Sequence, residues 1–131
     1  MGYGAFMKIL NQRSEDIKTY VINVECMYDQ GAEGSNLSLF NDAVIDNNSS
    51  LPSGGGHGQY VEAKGSGGCF FDDSTFSIKI EDATNSVIIG QVDFTDGNHN
   101  WSASNSNKDV IDVYINNSGD QAVIKITVEN S

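Results

Sequence analysis

The chain of 131 residues carries 18 Asp and Glu against 7 Lys and Arg, for a net charge of −11, with 38% apolar residues and a single proline. One domain of this length buries roughly two thirds of the surface its unfolded chain exposes, so no disulfide framework is required for folding. The charge excludes nucleic acid, whose phosphates demand clustered Lys and Arg, and it disfavours anionic lipid surfaces by the same repulsion.

At the N-terminus, Met1 to Leu10 lacks a basic segment followed by an apolar core, and no apolar run approaches the roughly 20 residues that span a bilayer. Neither an export signal nor a membrane helix is expected. Tyr3 to Leu10 fits a first strand, and Asn11 to Asp16 supplies turn residues. From Ile17 to Tyr28 the alternation places Tyr20, Ile22, Val24, Cys26 and Tyr28 on one face and Thr19, Asn23 and Glu25 on the other, which predicts a long strand buried on the first face. Gln30 to Asn36 breaks that strand with glycines. Leu37, Leu39, Ala43 and Ile45 suggest an irregular third strand before the polar loop Asp46 to Ser53.

Glycine clusters at Gly54 to Gly58 and Gly65 to Gly68 then bracket a short strand within Gln59 to Lys64. Phe76, Ile78 and Ile80 alternate with Ser77, Lys79 and Glu81. With a turn at Asp82 to Ser86 and the apolar run Val87 to Phe94 they predict a hairpin. Asp96 to Asp109 reads as a long polar loop holding Trp101. A second hairpin follows, in which Val110 to Ile115 turns at Asn116 to Asp120 into a strand whose Ala122, Ile124, Ile126 and Val128 alternate with more polar residues. Regularly spaced short strands with glycine-rich connections describe an all-β chain, a single domain over residues 1–131 folded as an antiparallel β-sandwich of about seven to nine strands.

Motifs for chemistry are absent. Lys64-Gly65-Ser66-Gly67-Gly68 resembles a protease nucleophile turn, but it lacks the preceding Asp and the chain is too short for the two barrels of that fold. Gly54 to Gly58 is followed by no Lys-Ser/Thr and so is not a phosphate loop. Asp72, Asp73, Asp93, Asp96 and Asn98 do not match a calcium-loop spacing, and His57 and His99 lack a partnered nucleophile. No catalytic residue, metal or cofactor is expected. The absent export signal favours two buried thiols over a disulfide for Cys26 and Cys69, with Cys26 on the apolar strand face. Tyr3, Phe6, Tyr28, Phe70, Phe71 and Trp101 fall at strand ends or in loops, where they either fold back into the core or form a binding rim.

The segment Asn100-Trp101-Ser102-Ala103-Ser104-Asn105-Ser106-Asn107, with Ile111-Asp112-Val113-Tyr114 and the final Ile124-Lys125-Ile126-Thr127-Val128, resembles the aegerolysin family. Tyr3 and Phe6 stand where such proteins carry Tyr and Trp. Ser14-Glu15-Asp16 falls at the turn between the first two strands, and Tyr28 lies near a family Trp. Gly65 to Ser74 followed by Thr75-Phe76-Ser77-Ile78 resembles a glycine-rich turn into a Thr-Phe strand, and Asp93-Phe94-Thr95-Asp96 replaces an Asp-Cys-Pro-Trp segment. The resemblance implies a non-enzymatic β-sandwich that recognises membrane lipids, often sphingolipids. In some members it further implies recruitment of a larger perforin-like protein to form pores, or a role in two-component insecticidal toxins. It also implies a chain made in the cytoplasm and released without a signal peptide to act on target membranes.

A strongly acidic protein should prefer zwitterionic head groups, whose cation an aromatic face and a carboxylate can hold. Trp101, Tyr28 and Asp96 are the candidate lipid-binding residues, with Phe6 and Tyr3 as apolar contacts. Placed in a loop, Trp101 should be replaceable by Ala without unfolding, at a cost of about 1–2 kcal/mol in binding. The alternative is a carbohydrate-binding, lectin-like sandwich in which Trp101 stacks on a sugar ring while Asp96, Asn98 and Asn100 bond its hydroxyls.

Overall fold

A computed structural model describes residues 3–28 and 37–131. The predicted break over Gln30 to Asn36 lies outside the described residues. Within them the strands are β1 (Ala5–Asn11), β2 (Ile17–Glu25), β3 (Ala43–Ile45), β4 (Ser49–Leu51), β5 (Gln59–Val61), β6 (Ser74–Asp82), β7 (Ile88–Asp96), β8 (Trp101–Asn105), β9 (Ile111–Asn116) and β10 (Ala122–Val128). Short 3-10 turns occupy Leu37–Phe40 and Gly67–Cys69. One sheet has the order β4-β1-β10-β9, with β5 sharing with β4 the free edge of β1, and the other runs β3-β2-β6-β7-β8. The all-β sandwich expected from the sequence is present, with ten strands among the described residues. Among the described residues every pairing is antiparallel except that of β1 and β10, which run parallel from Ala5 beside Ala122 to Asn11 beside Val128.

The core follows from strand alternation. Ala5, Met7 and Ile9 on β1 and Ala122, Ile124, Ile126 and Val128 on β10 are fully buried, and they face Phe76, Ile78, Ile80, Val92 and Phe94 from the other sheet. Phe76 stacks on Phe94 with 5.0 Å between ring centroids and receives the edge of Trp101 at 5.5 Å. Both predicted hairpins form, β6 with β7 and β9 with β10.

Four expectations are corrected. On β2 the buried face carries Ile17 and Thr19, with Val21 packed against the core, and not Tyr20, Ile22 and Val24; Val24 is 45% exposed. Thr19 is tolerated inside because its hydroxyl donates to the Phe40 carbonyl at 2.7 Å, while Tyr20 lies outside beneath Lys79 Nζ, 4.7 Å from the ring centre. A bulge after Ile22, with Asn23 at φ 56°, ends the alternation, and the strand stops at Glu25, short of Tyr28.

Second, the cysteines are not thiols: Cys26 and Cys69 form a disulfide across 43 residues of sequence. Third, the polar loops Asp46 to Ser53 and Asp96 to Asp109 contain β4 and β8, the latter an edge strand paired on one side with β7, and the irregular third strand is confined to Ala43–Ile45 after the 3-10 turn Leu37–Phe40. Fourth, Trp101 begins that strand and is 2% exposed, so it is a core residue and not a loop residue.

Candidate functional site

One end of the sandwich gathers the start of β1, β6 and β8, the end of β7 and the β9–β10 turn. Tyr3 continues the inward parity of Ala5, Met7 and Ile9 and is buried. Its hydroxyl lies 2.9 Å from the Asn117 carbonyl and 3.0 Å from that of Gly119, and its own carbonyl accepts the Trp101 indole N–H at 2.9 Å. Asn117 closes the knot, accepting from the Trp101 backbone N–H at 2.9 Å and donating to the Trp101 carbonyl at 3.0 Å. Trp101 therefore ties β8 to the turn of the opposite sheet, with no ring face left for a ligand.

Asp96 continues the inward parity of Val92 and Phe94, which carries its carboxylate to the open mouth of the core, where it is 8% exposed. Burial pushes this carboxyl above the usual range, more strongly than the Asn100 amide bonded to it at 2.9 Å and the nearby His99 hold it down, and Asp73 adds repulsion. The Tyr3 phenol is raised by burial first, then by the charges of Asp96 and Asp120.

Between β7 and β8 the chain turns through Asn98 and His99 with φ of 55° and 57°, closed by a bond from Gly97 N–H to the Asn100 carbonyl at 3.2 Å. Two successive positive φ angles make the reversed turn that suits a twisted hairpin. Glycine holds this conformation freely, whereas His99 holds it at a cost, and its ring is stacked on Tyr3 at 5.5 Å and 11°.

A cavity of about 420 Å³ opens here, lined by Tyr3, Lys64, Phe70, Phe71, Asp72, Asp73, Asp96, Asn98 and His99. The disulfide anchors its outer wall, pinning the Gly67–Cys69 turn to the end of β2, so that Phe70 and Phe71 follow at once. Their rings meet edge to face at 4.7 Å and are 69% and 92% exposed.

Of the five residues predicted from sequence, the cavity takes in Tyr3 and Asp96, and Trp101 lies buried behind them. Tyr28 stands on the flank, half-buried, with Lys64 Nζ 5.7 Å from its ring centre, so its cation is supplied by the chain itself. Phe6 is elsewhere, on the outer face of β1 against Tyr60 at 5.3 Å. Phe70 and Phe71, which the sequence left open between core and binding rim, were not among the five lipid-binding residues, and neither were His99 and Asp73. The available signal was an adjacent aromatic pair between a glycine cluster and two aspartates, in a stretch with no strand periodicity. Among the described residues no group of three or more His, Cys, Asp or Glu is placed to hold a metal ion, and no helix is long and apolar enough to cross a membrane. No family model and no curated protein matches the chain.

Proposed function

We propose that this protein is a non-enzymatic binder of membrane lipids with zwitterionic, choline- or ethanolamine-bearing head groups, sphingolipids among them, as the resemblance to aegerolysins implies. The observation that carries the reading is the Phe70-Phe71 pair, nearly bare, anchored by a disulfide and bordering a pocket of carboxylates. Burying a phenyl ring in the acyl boundary is favourable by about 1.5–3 kcal/mol, and aromatic rings settle at that depth. A cationic head group would then meet Asp96, Asp72 and Asp73 beside the Tyr3 and His99 rings. The disulfide suits a working environment more oxidising than the cytosol, in keeping with action on target membranes after release. The sugar-binding alternative loses its stacking platform, because the Trp101 ring is buried.

Flotation with vesicles tests this. Vesicles containing a phosphocholine or phosphoethanolamine sphingolipid should retain the protein, with little loss on adding salt, whereas phosphatidylserine vesicles should not. Phe70→Ser/Phe71→Ser should lower retention by more than about tenfold with melting unchanged, the scale of two rings withdrawn from the interface. Val87→Ser/Ile88→Ser, which alters the other exposed apolar pair, should leave retention as it was. Equal retention of the Phe variant and the parent would refute the proposal. Alone, the protein should not make vesicles leak, since its strands are already paired within the sheets, and permeabilisation falls to a larger, perforin-like partner.

A further inference from the structure

A second cavity, of about 280 Å³, lies on the outer face of the β1/β10/β9 sheet beside the Gly54 to Gly58 loop. Strand register builds its floor. Parallel pairing sets Lys8 beside Lys125, and antiparallel pairing sets Tyr114 across from Lys125. Since Met7, Ile9, Ile124 and Ile126 point inward, both lysines share the outer face. Neighbouring strands lie about 4.8 Å apart, so the two lysines leave the sheet from adjacent positions, and both line the cavity.

The chain has anions to spare, 18 Asp and Glu against 7 Lys and Arg. Arg13, Lys18 and Lys79 each meet a carboxylate. Lys8 and Lys125 meet none among the described residues, and no carboxylate lines the cavity. Lys8 is nevertheless 7% exposed, its ammonium donating to the Gly54 carbonyl. An ammonium removed from water is stabilised fully only by a counter-charge, which a neutral carbonyl does not supply. The loop is fixed where it meets the sheet: a Cβ on Gly58 would fall 2.1 Å from the Met7 carbonyl oxygen, so only glycine seats it there, and the loop places His57 at the cavity. Tyr114, 48% exposed, adds an aromatic wall with Lys125 Nζ 6.0 Å from its centre.

We infer that this cavity binds a phosphate monoester, its phosphoryl oxygens between Lys8 and Lys125 and its organic part on Tyr114. A monoester carries between one and two negative charges at neutral pH and several acceptor oxygens, which matches two ammonium groups better than a single carboxylate does. The site shares no residue with the aromatic rim and does not rest on its lipid reading.

Phenyl phosphate is the probe, followed by the amide resonances of Gly54 to Gly58 on titration into the full chain. Saturable shifts at Gly56 and His57 are expected, with affinity falling on the order of tenfold in Lys125→Gln. Lys125 is exposed, so this variant should melt with the parent, whereas the buried Lys8 is a poorer choice. Tyr114→Ala should reduce phenyl phosphate to the affinity of inorganic phosphate, and Phe70→Ser/Phe71→Ser should leave it unchanged. Vesicles containing phosphatidic acid identify the source. Retention that falls in Lys125→Gln assigns a lipid phosphate, and phenyl phosphate binding without such retention assigns a soluble ester; both support the site. Absence of saturable shifts, or undiminished affinity in a folded Lys125→Gln, overturns it.

Discussion

Each end of the β6–β7 hairpin exposes an apolar pair, Phe70 and Phe71 before β6 and Val87 and Ile88 at the turn into β7, and the two pairs differ in what stands behind them. Behind Val87 and Ile88 the carboxylates are ion-paired: Arg13 Nη2 reaches Asp82 at 3.1 Å and Glu15 at 3.6 Å. The backbone is matched as well, with Asn107 donating to the Ile89 carbonyl at 2.9 Å and Asn11 bridging the Glu15 and Ile45 carbonyls. Behind Phe70 and Phe71 stand Asp72, Asp73 and Asp96, none ion-paired among the described residues, over a turn that holds His99 at positive φ. Single exposed aliphatic residues are ordinary on a protein surface. An aromatic pair beside carboxylates that no cation of the described residues pairs is a surface suited to a cationic partner, and that distinguishes the two ends.

The largest effect expected at the aromatic end is structural. Trp101→Ala should cost about 3–5 kcal/mol, the range for deleting a fully buried large aromatic, and it also leaves the Tyr3 carbonyl without its donor. Denaturant unfolding measures this. A loss below about 1 kcal/mol, the typical effect of a point substitution, would mean that Trp101 is not the anchor between the sheets.

Next in size is the disulfide. Cys26→Ser/Cys69→Ser should lower stability by about 2–4 kcal/mol by releasing a long closed loop of the unfolded chain. It should also free the wall carrying Phe70 and Phe71, so vesicle retention should fall even at temperatures where the variant is fully folded. Retention equal to that of the parent would show that the pair needs no anchor, and the contrast between the two ends would then rest on the carboxylates alone.

The two hairpins were legible in the sequence because their alternation is uninterrupted. Phe76, Ile78 and Ile80, like Ala122, Ile124, Ile126 and Val128, have no competitor for the inward face. On β2 both parities offer plausible residues, and the choice fell to a hydrogen bond from Thr19 to the carbonyl of a distant turn, which no local pattern encodes. The edge strand β8 was hidden because Ser102, Ala103 and Ser104 carry no apolar period, and with it went the placement of Trp101. Tyr3 and Asp96 were found at the site for different reasons from those that put them there. Tyr3 is an inward residue at the end of its strand, and Asp96 extends the parity of a core strand to its mouth. The absence of an export signal argued against the disulfide, yet bridging depends on distance in the fold, here 5.6 Å between Cα atoms.

The smallest effect, and the one that separates binding from folding most cleanly, is that of Asp96→Asn. Burial raises the Asp96 carboxyl above its ordinary range in the folded chain, so the native state holds this proton more tightly than the unfolded state does. As pH rises from the unfolded value through the raised native one, Asp96 therefore takes stability away, and above that window the ionised group is a fixed cost to the fold. Asparagine keeps the oxygen that accepts the Asn100 N–H and removes the charge, so the variant should melt no lower than the parent at neutral pH. Its affinity for choline-bearing vesicles should nonetheless fall by about 1 kcal/mol, a factor of about five, because the cationic head group loses its most deeply set carboxylate. Acidification should reproduce the loss in the parent as the carboxyl takes up its proton, with little change in the variant. An Asp96→Asn protein that binds as well as the parent at neutral pH would leave the rim with an apolar anchor and no role for its acidic pocket.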